Sequence, residues 1–165
     1  ARKAGADGFY ISSQGDDLEE FAGKTFLEVL KPYDRQLSDV ASQVAPFNIL
    51  HICESGGHIT PETFNDYLDY SVVNPPIHSF KDKSLTLKQI SELFHRPVLG
   101  GLEQRGALYK GNLEEAKAEV DRILEVAPDN FIFGADDSLP NDSDPEKIRQ
   151  LVDYIHTWRL NHNRR

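Results

Sequence analysis

The chain has 165 residues, with 18 Lys and Arg against 27 Asp and Glu, a formal net charge of -9. That length fits one domain or part of one, and the acidic balance excludes the basic face of a nucleic-acid binder. No window of about 18 apolar residues occurs, which excludes a transmembrane helix; the single cysteine, Cys53, excludes an internal disulfide framework and suits a reducing compartment, the cytoplasm.

In chain order, short apolar runs alternate with amphipathic segments. Ala1 to Gly8 reads as the last turn of a helix with a glycine stop, feeding a strand at Phe9–Ser12. A chain opening on the end of a helix reads as the C-terminal part of a longer one. Asp17 to Leu30 carries Phe21, Phe26, Leu27 and Leu30 at helical spacing; Pro32 breaks or kinks that helix, and Tyr33 to Val44 resumes it. A second strand covers Phe47 to Cys53. Thr60-Pro61 then opens a helix with Phe64, Tyr67 and Leu68 on one side. Ser71–Asn74 is a third strand. A helix over Thr86–Phe94 groups Leu87, Ile90, Leu93 and Phe94, and Pro97–Leu102 is a fourth strand.

Asn112-Leu113-Glu114-Glu115 is a capping box opening a helix that buries Leu113, Ala116, Val120, Ile123 and Leu124. Asn130–Gly134 is the fifth strand, Asp136–Asp144 a loop, and Asp144-Pro145 starts a helix with Ile148, Leu151, Val152, Ile155 and Trp158 in phase. Five strand–helix units imply a parallel sheet. No Gly-x-Gly-x-x-Gly follows a strand, which weakens a dinucleotide-binding open sheet against a barrel. A full (β/α)₈ barrel takes roughly 250 residues, so five units match its C-terminal part.

Functional groups of such folds gather at the C-terminal strand ends. That rule selects Ser12, Ser13 and Gln14, then His51, Cys53 and Glu54, then Asn74, Glu103, Gln104, Asp136 and Asp137. His51 and Cys53, two apart on one strand, point to the same face, and imidazole and thiolate are both zinc ligands. Asp136 or Asp137 could add a carboxylate. The alternative is a buried His hydrogen-bonded beside a small buried thiol. His58 is a candidate further ligand or a solvated loop residue. Asp136-Asp137 reads as paired carboxylates for acid–base work or as a loop cap. Ser12-Ser13 reads as an anion contact or as plain strand-end residues; with no Gly-x-Ser-x-Gly elbow, a serine nucleophile is disfavoured.

These strand-end blocks, in order, resemble the C-terminal portion of the uroporphyrinogen decarboxylase superfamily. They are Gly5-Ala6-Asp7-Gly8-Phe9 through Ser13-Gln14, Pro32–Arg35, Ile49–Cys53, Val72–Asn74, Pro97–Gln104 and Phe131–Pro140 leading to Asp144-Pro145-Glu146. The resemblance spans the whole chain and implies one α/β unit over 1–165, about strands four to eight of a (β/α)₈ barrel. It implies two chemistries. One is a carboxy-lyase acting on a tetrapyrrole or similar polycarboxylate, without metal or cofactor. There Ser13 matches the substrate-binding serine, Asp137 stands at the site's edge, and Ser12, Asn74 and Gln104 join the substrate contacts.

The other is methyl transfer between a corrinoid protein and a thiol, with zinc. His51 and Cys53 match its His-x-Cys pair, and Asp137 stands where those methyltransferases carry a later Cys and the decarboxylases a His. Asp137 would then complete a set with oxygen in place of sulfur. The superfamily's essential aspartate and carboxylate-gripping arginines belong to strands before Ala1, so this stretch by itself should lack decarboxylase activity. A third expectation is a non-catalytic fragment pairing with itself or with a missing N-terminal half, because five barrel strands leave two open edges.

Overall fold

A computed structural model describes residues 2–14, 26–53, 64, 70–80 and 82–162, with side chains described as far as Trp158. The elements in order are β1 (Gly8–Ser13), α1 (Phe26–Val29), α2 (Lys31–Val44), β2 (Phe47–Ile52), β3 (Val72–Asn74), α3 (Leu87–Phe94), β4 (Leu99–Leu102), α4 (Ala107–Lys110), α5 (Leu113–Val126), β5 (Ile132–Ala135) and α6 (Pro145–His162). Single 3₁₀ turns stand at Arg2–Ala4 and Ile77–Ser79. The helix expected from Thr60 lies outside the described residues, as do Glu54 and His58.

All pairing is parallel. β1, β2 and β3 form one ladder, in which Ser12 faces His51 and His51 faces Asn74. β4 and β5 form a second, and the Val73–Val98 bridge joins the two. Strand order therefore follows chain order. An open doubly wound sheet reverses direction at a switch point, whereas a barrel does not. Among the described residues the architecture is a five-strand arc of a (β/α) barrel.

One face of the arc is packed by helices. Leu50, Ile52, Val73 and Val98 meet Phe26, Phe64, Phe80, Ile90 and Phe94 in a closed core. A second core joins Leu102 and Leu108 to Ala116, Val120 and Leu151, with Ile123, Ile155 and Trp158 packed on it. Val152, expected in that stripe, is exposed, and Tyr154 takes the inward position.

Local chemistry explains the boundaries. The break between α1 and α2 falls at Leu30, and Pro32 lies in the first turn of α2, where a missing N–H breaks no helical bond. Asn112 and Glu115 cap each other at the start of α5, as expected, and Thr86 and Gln89 do the same for α3. Gly101 has a φ of +96°, and a Cβ there would lie 2.9 Å from Ile123 Cγ2 and Phe131 Cζ, so glycine lets α5 press onto β4. Among the described residues no helix is long and apolar enough to cross a membrane.

Candidate metal centre

On β2, residues 48, 50 and 52 face the helices, so 49, 51 and 53 face the inside of the arc. The in-register parallel ladder puts Tyr10, Ser12 and Asn74 on that same inner face. Asp137 follows the end of β5 and reaches this face from the other side of the arc. Ligand atoms of His51, Cys53 and Asp137 all lie within 4.8 Å of one another. His51 Nε2 is 3.6 Å from Asp137 Oδ1, and both side chains are largely buried.

The histidine's proton can be placed. Its Nδ1 lies 3.1 Å from Asn74 O and 2.9 Å from Asn74 Oδ1. The Asn74 amide donates through Nδ2 to Leu99 O at 2.9 Å and Ala135 O at 3.1 Å, so its Oδ1 is the acceptor end. Tyr10 OH also donates to Oδ1. Both partners of Nδ1 accept, so Nδ1 carries a hydrogen, and Nε2 is the nitrogen turned toward Asp137. Nε2 facing a carboxylate oxygen at 3.6 Å is bridged either by a proton on the ring or by a cation held between them.

Cys53 Sγ is contacted by Ser12 Oγ at 3.3 Å and by Gln14 Nε2, which donates at 3.2 Å. Gln14 donates to the sulfur, while the Ser12 hydroxyl can donate to it or accept from it. A cysteine sulfur, a carboxylate oxygen and an imidazole nitrogen whose far N–H is already held make an S, O, N donor set of the kind that takes zinc. The phenol of Tyr10 is pushed up to about 12, first by burial and then by the negative charges of Asp137 and Cys53. Its ring stacks on the His51 ring at 5.4 Å between centroids.

Other expected site residues fall elsewhere. Ser13 is buried on the opposite face, and its hydroxyl donates to Asp34 Oδ2 at 2.5 Å, so it does not face the cluster. Ser12 is at the site, but against the sulfur. Asn74 is buried with both amide hydrogens and both oxygen lone pairs engaged, which makes it a support rather than an open substrate contact. Asp136 is buried, and its Oδ1 accepts the Gln104 backbone N–H at 2.9 Å, joining the turns that follow β4 and β5. The two adjacent aspartates thus split into a loop clamp and a cluster member. Glu103 belongs to the same turn after β4, its carbonyl accepting from Gly106 N at 2.9 Å. Tyr10 is the site residue that strand-end reasoning passes over; its place two residues before Ser12 on one strand face was the available signal.

A parallel (β/α) arc with polar groups at its C-terminal strand ends defines a part-barrel. Residues 1–158 match the model of the uroporphyrinogen decarboxylase (URO-D) family, and the chain belongs to that family. Among solved structures, a methyltransferase from Methanosarcina mazei is similar in fold, with a TM-score of 0.69 at 19% sequence identity. The match covers 95% of this chain and 44% of that one, so the chain spans less than half of that protein's length. No curated protein matches the sequence.

Proposed function

We propose that this chain carries the metal-binding half of a zinc-dependent methyltransferase of the URO-D family, moving a methyl group between a corrinoid protein and a thiol. The observation that carries the reading is the convergence of His51, Cys53 and Asp137 within 4.8 Å, with Nε2 turned into the cluster. The carboxy-lyase chemistry of the family has no use for a thiolate–imidazole pair. The similar fold of a methyltransferase is consistent with this reading.

When bound, zinc would supply Lewis acidity that lowers the pKa of a thiol substrate and holds it as the nucleophile. The chain's own residues do the rest. Asn74 fixes the imidazole through its Nδ1–H, and Ser12 and Gln14 hold the Cys53 sulfur in place. Asp137 contributes a hard oxygen where a second sulfur would donate more electron density, which suits a less nucleophilic bound thiolate. A free thiol in this role suits a reducing compartment such as the cytoplasm.

The test is metal analysis of protein purified under reducing, chelator-free conditions. The reading expects close to one zinc per chain, lost in Cys53→Ala; absence of zinc removes it. A second reading, a carboxy-lyase on a tetrapyrrole polycarboxylate, is favoured by the family description. It requires carbon dioxide release by metal-free protein supplied with the remaining part of the barrel. It also requires the Ser13–Asp34 bond to open toward substrate.

A further inference from the structure

Tyr10 has no assigned role, yet it touches both the histidine of the cluster and the residue that holds that histidine. Its hydroxyl donates to Asn74 Oδ1, filling the lone pair that His51 Nδ1–H leaves over. Its ring lies on the imidazole with an interplanar angle of 24°. The remaining bonds of Asn74 run to the carbonyls of Leu99 and Ala135 on β4 and β5. The amide is therefore saturated, and it cannot flip without breaking bonds to both. Asn74 alone fixes where Nδ1 points, but not the tilt of the ring about that bond. The stacked phenol limits that tilt from the β1 side: Tyr10 sits on an edge strand of its sheet and keeps 56% of its surface exposed.

We propose that Tyr10 is a positioning residue for the donor cluster: it locks the His51 ring so that Nε2 stays aimed at Cys53 and Asp137. The inference about the ring stands on the polar network alone; its consequence for zinc rests on the function proposed above. Two variants separate the contributions of Tyr10. Tyr10→Phe keeps the stack and removes the hydroxyl, while Tyr10→Leu removes both.

The deciding experiment is NMR of the His51 ring in zinc-free protein, reading the nuclear Overhauser contacts of its ring C–H groups to the side chains of Cys53 and Asp137. Wild type is expected to show one fixed set of contacts from the C–H groups that flank Nε2, and Tyr10→Leu to lose or average them as the ring tilts. Wild-type contacts retained in Tyr10→Leu overturn the proposal, whatever the zinc result. Chelator competition then gives the size of the effect. Outer partners of a ligating histidine are typically worth 10–100-fold in metal affinity, so Tyr10→Phe should bind zinc about 10-fold more weakly and Tyr10→Leu more weakly still. A wild-type chain that binds no zinc sinks the proposed function and leaves the ring contacts to judge Tyr10.

Discussion

The two parts of the arc treat polarity in opposite ways. The β1–β3 part lines its inner face with Tyr10, Ser12, His51, Cys53 and Asn74, joined by hydrogen bonds, and backs that face with an aromatic core. The β4–β5 part offers glycines at 100, 101 and 134 and an apolar cavity of about 200 Å³ between β5 and α6, lined by Phe133, Leu139, Ile148 and Leu151. That cavity is lined by apolar side chains and His156, and the convergent donors lie elsewhere. The difference teaches that the site belongs to neither part. His51 and Cys53 on the first part become a metal-type cluster only when the second delivers Asp137, and Asn74 spans the seam.

The sharpest way to break the comparison is to cut that seam. Asn74→Ala leaves the carbonyls of Leu99 and Ala135 and the Tyr10 hydroxyl without these partners. Unsatisfied buried groups cost about 1–3 kcal/mol each, so a loss of about 4 kcal/mol is expected, read from the urea midpoint. A change below about 1 kcal/mol would mean that packing and the Val73–Val98 bridge hold the two parts together without Asn74.

The second part has its own weak point. Gly101→Ala combines a left-handed backbone with a 2.9 Å clash against Ile123 and Phe131, and should cost about 2 kcal/mol in the same measurement. It should do so while sparing the inner-face network of the first part, which amide hydrogen exchange would show as unchanged protection of His51 and Ile52.

A smaller effect separates the two tethered tyrosines. Tyr154 OH and Trp158 Nε1 both donate to Asp121 Oδ1, at 2.6 and 2.8 Å, tying α6 to α5. Asp121→Ala should cost about 1–2 kcal/mol. The Tyr154 phenol is pushed up to about 12, by burial first and then by Asp121. Removing Asp121 should bring it partway back toward 10, leaving Tyr10 near 12 in a phenolate absorbance titration. The sign follows from linkage. Both phenols hold their proton more tightly folded than unfolded. Their contribution to stability is complete below pH 10 and is lost as pH rises from 10 to 12.

Much of this was legible from local pattern, and the exceptions have a common cause. The His51–Cys53 pair follows from the two-residue period of a strand, and the α5 cap from four consecutive residues. Ser13 obeys the same period, but its partner Asp34 lies across α2, so nothing local says that its hydroxyl is already engaged. Asp136 and Asp137 look equivalent as neighbours. Only the turn after β4, which gives Asp136 the Gln104 N–H, separates them. Asn74 and Tyr10 are invisible as supports because every bond they make crosses between strands.

The measurement that bears most directly on the cluster is X-ray absorption at the zinc edge of wild-type protein loaded with one equivalent of zinc. The account predicts one sulfur neighbour at about 2.3 Å and the remaining light-atom neighbours near 2.0–2.1 Å. It also predicts that Cys53→Ala loses the sulfur shell. A zinc shell of light atoms alone in the wild type would contradict it.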